Sequence, residues 1–212
     1  MFMNISKIDQ QYFGNCISFA KTYIESNKSI DEKKLILEYM IDVIKKDVQS
    51  FYMSSMYYCE KNKCAQINGL PIPIYYDSDE LKFDISTGQM VMLDLSKDNY
   101  VVIPWNSERM IWNLVNIKNN EFEYDESNHK AFYYNYLDFG YVYNGNHSIT
   151  SGHYFRKGEI KAELCDTPKI FDLVVTNGHD WYIGKEKIKA HDFRFCLIYE
   201  LSKMKYKLEN KL

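Results

Sequence analysis

The run Tyr141-Val142-Tyr143 is aromatic and β-branched, and it breaks at Asn144-Gly145. A polar stretch of helical length follows, Gly158 ends it, and apolar and charged residues alternate again through Ile160, Ala162 and Leu164. This punctuation predicts a strand, a tight glycine turn, a helix and a second strand. A chain built around such a unit must carry a sheet, so an all-helical fold is excluded.

A helix that begins beside Gly145 leaves its first backbone N–H groups unpaired and turns the positive end of its dipole toward the turn. An anion such as a phosphate can bind there. Gly145 carries no Cβ to obstruct the approach, Asn146 is placed to cap the helix, and His147 and Ser148 bring an imidazole and a hydroxyl to whatever binds. The plainer alternative is an ordinary strand-to-helix turn with a capping Asn.

Strand, Gly-Asn-His-x, short helix, Gly, then Glu-Ile-x-Ala-x-Leu resembles the signature turn of the ParB/sulfiredoxin superfamily. A second segment supports the likeness. Val91 to Ser96, Val101 to Ile103 and Pro104-Trp105-Asn106-Ser107-Glu108-Arg109 are similar to that family's opening strand, proline-containing loop and first helix. The resemblance covers Gly88 to Leu164, and it implies a small mixed-sheet domain that binds a nucleotide, with Mg2+ as an accompanying ion. The family's turn usually reads Gly-x-His-Arg or Gly-x-Arg-Arg, and here Ser148 replaces the phosphate-contacting arginine. A serine cannot supply a guanidinium fork, so binding without chemistry gains weight over hydrolysis or phosphoryl transfer. Arg156 is a poor substitute, about 12 Å further along the same helix. Arg109 is the better candidate if the two segments meet. The cysteine that sulfiredoxin carries in its turn is here Asn146.

The chain of 212 residues suffices for a sizeable core, and its formal charge of −3 argues against wholesale coating of nucleic acid. Nineteen tyrosines within an aromatic content of 16% read first as amphipathic core and interface residues. The five cysteines are scattered and odd in number; with no signal peptide legible, they point to reduced thiols in a cytoplasm. Cys59-x4-Cys64 has no second half with metal-ligand spacing. No apolar run approaches the roughly 20 residues needed to span a bilayer.

In chain order, Ile8, Tyr12, Phe13, Cys16, Phe19, Ala20, Tyr23 and Ile24 recur at helical spacing. Ser29 to Glu32 forms a capping box before a second apolar stripe that runs to about Cys59. Phe51, Tyr52, Tyr57 and Tyr58 are candidates for dimerisation or partner docking, although cover for a sheet is the simpler role. Asn68 to Pro73 reads as a loop and sets the expected boundary, with a helical segment over 1–68 and the sheet domain over 69–212. Asn106 or Ser107 caps a helix expected to bury Met110, Ile111, Leu114, Val115 and Ile117. Ala131 to Leu137 is expected as a helix. Asn177-Gly178 marks a hairpin, and Phe193 to Leu208 closes the chain as a helix.

Several constellations compete for chemistry. His129, His147, His153 and His179, with Asp138 or Asp180, invite a metal or HNH-type nuclease reading, but their spacing matches no ligand pattern. His147 is the better-placed general base, because a helix N-terminus favours the neutral imidazole. No Ser-His-acid arrangement is legible. Trp105 either seals the core or walls a ligand pocket. Arg109 either reaches an anion near Ser148 or pairs with Glu108 or Asp94.

The expected fold is α+β with an α/β-like core: helical N-terminal segment, then a ParB/sulfiredoxin-like mixed sheet. The expected function is binding of a nucleotide or other phosphate-bearing small molecule by Asn144, Gly145, Asn146, Ser148, Arg109 and Trp105, with His147 as the catalytic candidate and no dedicated metal ligands. If the protein is an enzyme, the expected types are a nucleotide-dependent phosphotransferase, a nucleotide hydrolase or a nuclease. A DNA-binding protein and a non-enzymatic sequestering or protein-interaction factor, bacterial or phage-encoded, are the alternatives, with a homodimer compatible with each.

Overall fold

The computed structural model describes residues 7–59, 67 and 69–210. The fold class is α+β, as expected. The chain forms two compact units that interleave in sequence, so the division does not fall at 68/69. One unit comprises 47–59 and 86–166; the other comprises 7–46, 67, 69–85 and 167–210. Cys64 and Asn68 lie outside the described residues.

The first unit is built on a five-stranded mixed sheet, in the order β3-β7-β5-β6-β4. Its strands are β3 (Ser86–Asp94), β4 (Tyr100–Val101), β5 (Lys130–Tyr134), β6 (Phe139–Asn144) and β7 (Glu159–Cys165). β5 lies in the middle, antiparallel to β6 and parallel to β7. Helices α3 (Ser107–Asn119) and α4 (Asn146–Phe155) complete the unit. Leu93, Val142, Ile149, Ile160 and Ala162 form its core, so α4 is seated on the sheet through Ile149. Burying each large aliphatic side chain contributes about 1.5–3 kcal/mol.

Two expectations fail here. Ala131 to Leu137 is strand β5 and a turn, not a helix; Tyr136 and Asp138 take positive φ angles of 60° and 49°, which no helix accommodates. On α3, Met110 and Ile117 are buried as expected, but Ile111 and Val115 face solvent at 62% and 57% exposure. Phe122 and Tyr124 lie in irregular chain and still pack against the core.

The second unit contains α1 (Lys7–Ile24), the first part of α2 (Ile30–Tyr58) and α5 (Phe193–Asn210). It also holds a β1 (Tyr75–Asp77) and β2 (Lys82–Asp84) ribbon and a sheet of β8 (Val174–Thr176), β9 (Asp180–Ile183) and β10 (Glu186–Lys189). The capping box is realised: the Ser29 N–H donates to Glu32 at 2.9 Å, and the Glu32 N–H to Ser29 Oγ at 3.2 Å. Ala20, Leu37, Ile41 and Leu201 form the helical core. The apolar stripe of α1 is narrower than its sequence suggests, because Ile8, Tyr12 and Phe19 are exposed. No described helix is long and apolar enough to cross a membrane.

Replacing Ile149 with Ala leaves a cavity between α4 and the sheet, and the loss of stability is expected to be about 2–5 kcal/mol. Ile111→Ala, on the exposed face of α3, should stay within about 0.5 kcal/mol of wild type. Urea unfolding of the two variants checks the contrast.

Candidate functional site

Gly145 adopts φ 83°, ψ 17°, the left-handed conformation that lets β6 turn directly into α4. A Cβ at this position would lie 2.5 Å from His129 Cδ2, so both the angle and the close packing call for glycine. No side chain caps α4, and its first internal bond runs from the Ile149 N–H to the Gly145 carbonyl. The N–H groups of Asn146, His147 and Ser148 thus find no acceptor among the described residues.

Asn146 does not cap the helix as expected. Its Oδ1 accepts the Ile103 N–H at 2.8 Å and pins the segment between β4 and α3. His147 does the same one step further on. Its Nε2 accepts N–H groups from both Asn106 at 3.0 Å and Trp105 at 3.3 Å. Those two donors fix the tautomer: the ring proton sits on Nδ1 and the lone pair of Nε2 is committed. Burial pushes the His147 pKa below its ordinary value, and the Arg109 charge acts in the same direction. His147, expected as a general base, has its Nε2 lone pair engaged by these two backbone donors and ties the start of α3 to α4.

The Ser148 hydroxyl donates to the Gly145 carbonyl at 3.0 Å, and His129 Nε2 lies 2.8 Å from that hydroxyl oxygen. A Ser-His pair is thus present although the sequence did not disclose it. Its polarity, however, is wrong for nucleophilic catalysis. His129 Nδ1 accepts the backbone N–H of Asp125 at 3.0 Å, so the proton resides on Nε2 and points at Ser148. The Asp125 carboxylate instead accepts from the N–H and hydroxyl of Ser127. His129 stacks on Phe122 at 5.1 Å between ring centroids, and burial again lowers its pKa.

The two segments singled out in the sequence meet. Trp105, Arg109, Asn144, Gly145, Asn146, His147 and Ser148 all line one cleft of about 640 Å³. Trp105 walls it, with 44% of its surface exposed. The Arg109 guanidinium lies over the Trp105 ring, 5.2 Å from its centroid. No described carboxylate pairs with Arg109; Asp94 pairs with Lys97. Sequence reasoning missed the other walls: Trp112, the α3 asparagines Asn113, Asn116 and Asn120, and the acidic segment Glu121 to Asp125. The recurrence of Trp112 seven positions after Trp105 was the available signal.

The histidine cluster does not assemble. His153 Nδ1 meets the Tyr100 hydroxyl and the Leu95 carbonyl, each at 3.1 Å, and His179 pairs with Asp180 at 2.7 Å. No described group of three or more His, Cys, Asp or Glu side chains is arranged to hold a metal ion. The cleft therefore offers no preformed protein cage for Mg2+. An ion there would depend on ligand oxygens.

A family of unknown function, DUF6710, matches residues 2–212. The chain belongs to the DUF6710 family. No curated protein matches it, and no solved structure does.

Burial lowers the pKa of His129, His147 and His153 below the ordinary value of 6.5. As pH falls below about 6.5, the unfolded chain takes up protons that the folded chain refuses, so stability is lost from there downward. Above that value both states are neutral and the effect vanishes. Each imidazole contributes up to about 1.4 kcal/mol per pH unit in that window. The unfolding free energy, followed from about pH 8 to about pH 5, should be level at first and then decline. A level profile throughout would show that these rings charge freely in the fold.

Proposed function

We propose that this protein binds a nucleotide or another phosphate-bearing ligand at the Gly145–Ser148 turn. The observation that carries the reading is the uncapped start of α4 opening into the same cleft as Arg109, a guanidinium with no described carboxylate partner. Unpaired N–H groups and a fixed cation converge on a phosphate from two elements, α4 and α3, whose relative position is held by His147 and Asn146. Arg109 takes over, from another helix, the charge that Ser148 lacks. The likeness to the ParB/sulfiredoxin turn supports the same reading.

The reading is one of binding. Neither cleft imidazole is placed as a general base, because both have their acceptor nitrogens committed to backbone N–H groups. A nuclease or DNA-binding role at this cleft is weakened by the carboxylates of Glu121, Glu123 and Asp125 along its wall. A second reading, docking of a protein partner, is favoured by one observation: Ile111, Trp112 and Val115 form an exposed apolar strip on α3.

Arg109→Ala removes the cation without breaking an ion pair, so the fold should be retained. Calorimetric titration with nucleotides is expected to show binding that weakens about tenfold or more in this variant, the range for loss of a charge-assisted contact. Gly145→Ala should weaken binding further and also destabilise the protein by about 1–3 kcal/mol. Affinities unchanged from wild type in both Arg109→Ala and Gly145→Ala would overturn the reading.

A further inference from the structure

We infer that the cleft takes a nucleoside bearing a single phosphate and discriminates against the corresponding triphosphate. The inference rests on the phosphate-binding reading and narrows it by charge. Arg109 is the permanent cation of the lining, and Glu121, Glu123 and Asp125 stand against it. Lys157 lies 3.5 Å from Glu121 and offsets part of its charge. The hydrogen bonds from Ser127 hold the Asp125 carboxyl below its usual pKa and keep it ionised. A ligand that brings one phosphate matches the donors at the turn. Each further phosphate adds negative charge to a cleft whose remaining ionic groups are carboxylates.

The donors of the cleft come from two elements, α4 and α3. His147 is only 8% exposed, and its Nδ1–H has no acceptor among the described residues. With the N–H groups of Asn146, His147 and Ser148, the Arg109 guanidinium supplies donors from a helix terminus and a second helix.

The other wall suits a nucleoside. Trp112 is 66% exposed, leaving indole surface for a base to stack on. Along α3, the Asn113 amide donates to the Arg109 carbonyl at 2.8 Å, and the Asn120 amide donates to Asn116 at 3.0 and 3.1 Å. Their side-chain carbonyls, with the neighbouring carboxylates, make this wall rich in acceptors. Ribose hydroxyls and exocyclic amino groups supply the matching donors.

The test is calorimetric titration of the full chain with the four ribonucleoside monophosphates and the matching triphosphates, in EDTA and again with Mg2+. Adenosine, ribose 5-phosphate and inorganic phosphate serve as partial ligands, and Glu123→Gln is run beside wild type. At least one monophosphate is expected to bind about tenfold or more tightly than its triphosphate in EDTA, with the partial ligands weaker than the whole. Glu123→Gln should raise triphosphate affinity more than monophosphate affinity and so narrow the ratio. Triphosphates binding as tightly as monophosphates, or a ratio unmoved by Glu123→Gln, would overturn the inference while leaving the phosphate site standing. If no phosphate-bearing compound binds at all, the underlying reading falls with it.

Discussion

Two backbone N–H groups, those of Trp105 and Asn106, converge on one nitrogen of His147. The geometry of the cleft depends on this meeting. Trp105 and Asn106 begin the path into α3, where the Asn106 side chain accepts the Arg109 N–H at 2.9 Å and starts the helix. Fixing that pair of N–H groups against α4 therefore fixes where α3 begins, and with it the position of Arg109 relative to the Gly145 turn. Asn146 contributes a second tie through Ile103. Both residues stand at the start of α4, so one turn of helix both presents free N–H groups and secures the loop that brings the cation.

The same meeting decides what the imidazole can do. A neutral histidine has one donor and one acceptor nitrogen, and a backbone N–H that reaches the acceptor settles which is which. His147 accepts through Nε2, while His129 accepts through Nδ1 from Asp125 and donates through Nε2 to Ser148. Distance alone would make Ser148 and His129 look like a nucleophile and its base. The orienting group must be an acceptor for that chemistry, as a carboxylate is, and here it is a donor. The pair instead braces the turn: Ser148 closes on the Gly145 carbonyl, and His129 fills the space that a Cβ at Gly145 would need.

Much of this was legible in the sequence. Gly145, Gly158 and the change of period on either side of them marked the β6, α4 and β7 elements, because glycines with φ of 83° and 97° leave a conspicuous local signature. The hairpin at Asn177-Gly178 was visible for the same reason, and the capping box through the spacing of Ser29 and Glu32. β5 was not. It is the middle strand of its sheet, Ala131 and Tyr134 are buried and Phe132 and Tyr133 half-buried, so no polar residues alternate to reveal a period of two. The α3 stripe misled in the opposite way, since apolar residues at helical spacing imply burial only where a second element arrives to cover them. The seven residues singled out in the sequence line one cleft, and they sit in two short, well-punctuated segments. The roles of Asn146 and His147 were not, because a role set by a partner some forty positions away leaves no local trace.

The turn from Asn144 to Ser148 carries no permanently charged side chain of its own. An arginine at position 148 would bring its own charge to the helix terminus. With serine there, positive charge arrives only through Arg109, stacked on Trp105 and held by the contacts that seat α3. A guanidinium lying over one indole face is restricted in direction. The carboxylates of Glu121, Glu123 and Asp125 line the same cleft. Selectivity in such a cleft follows from where a single cation is fixed and from what faces it.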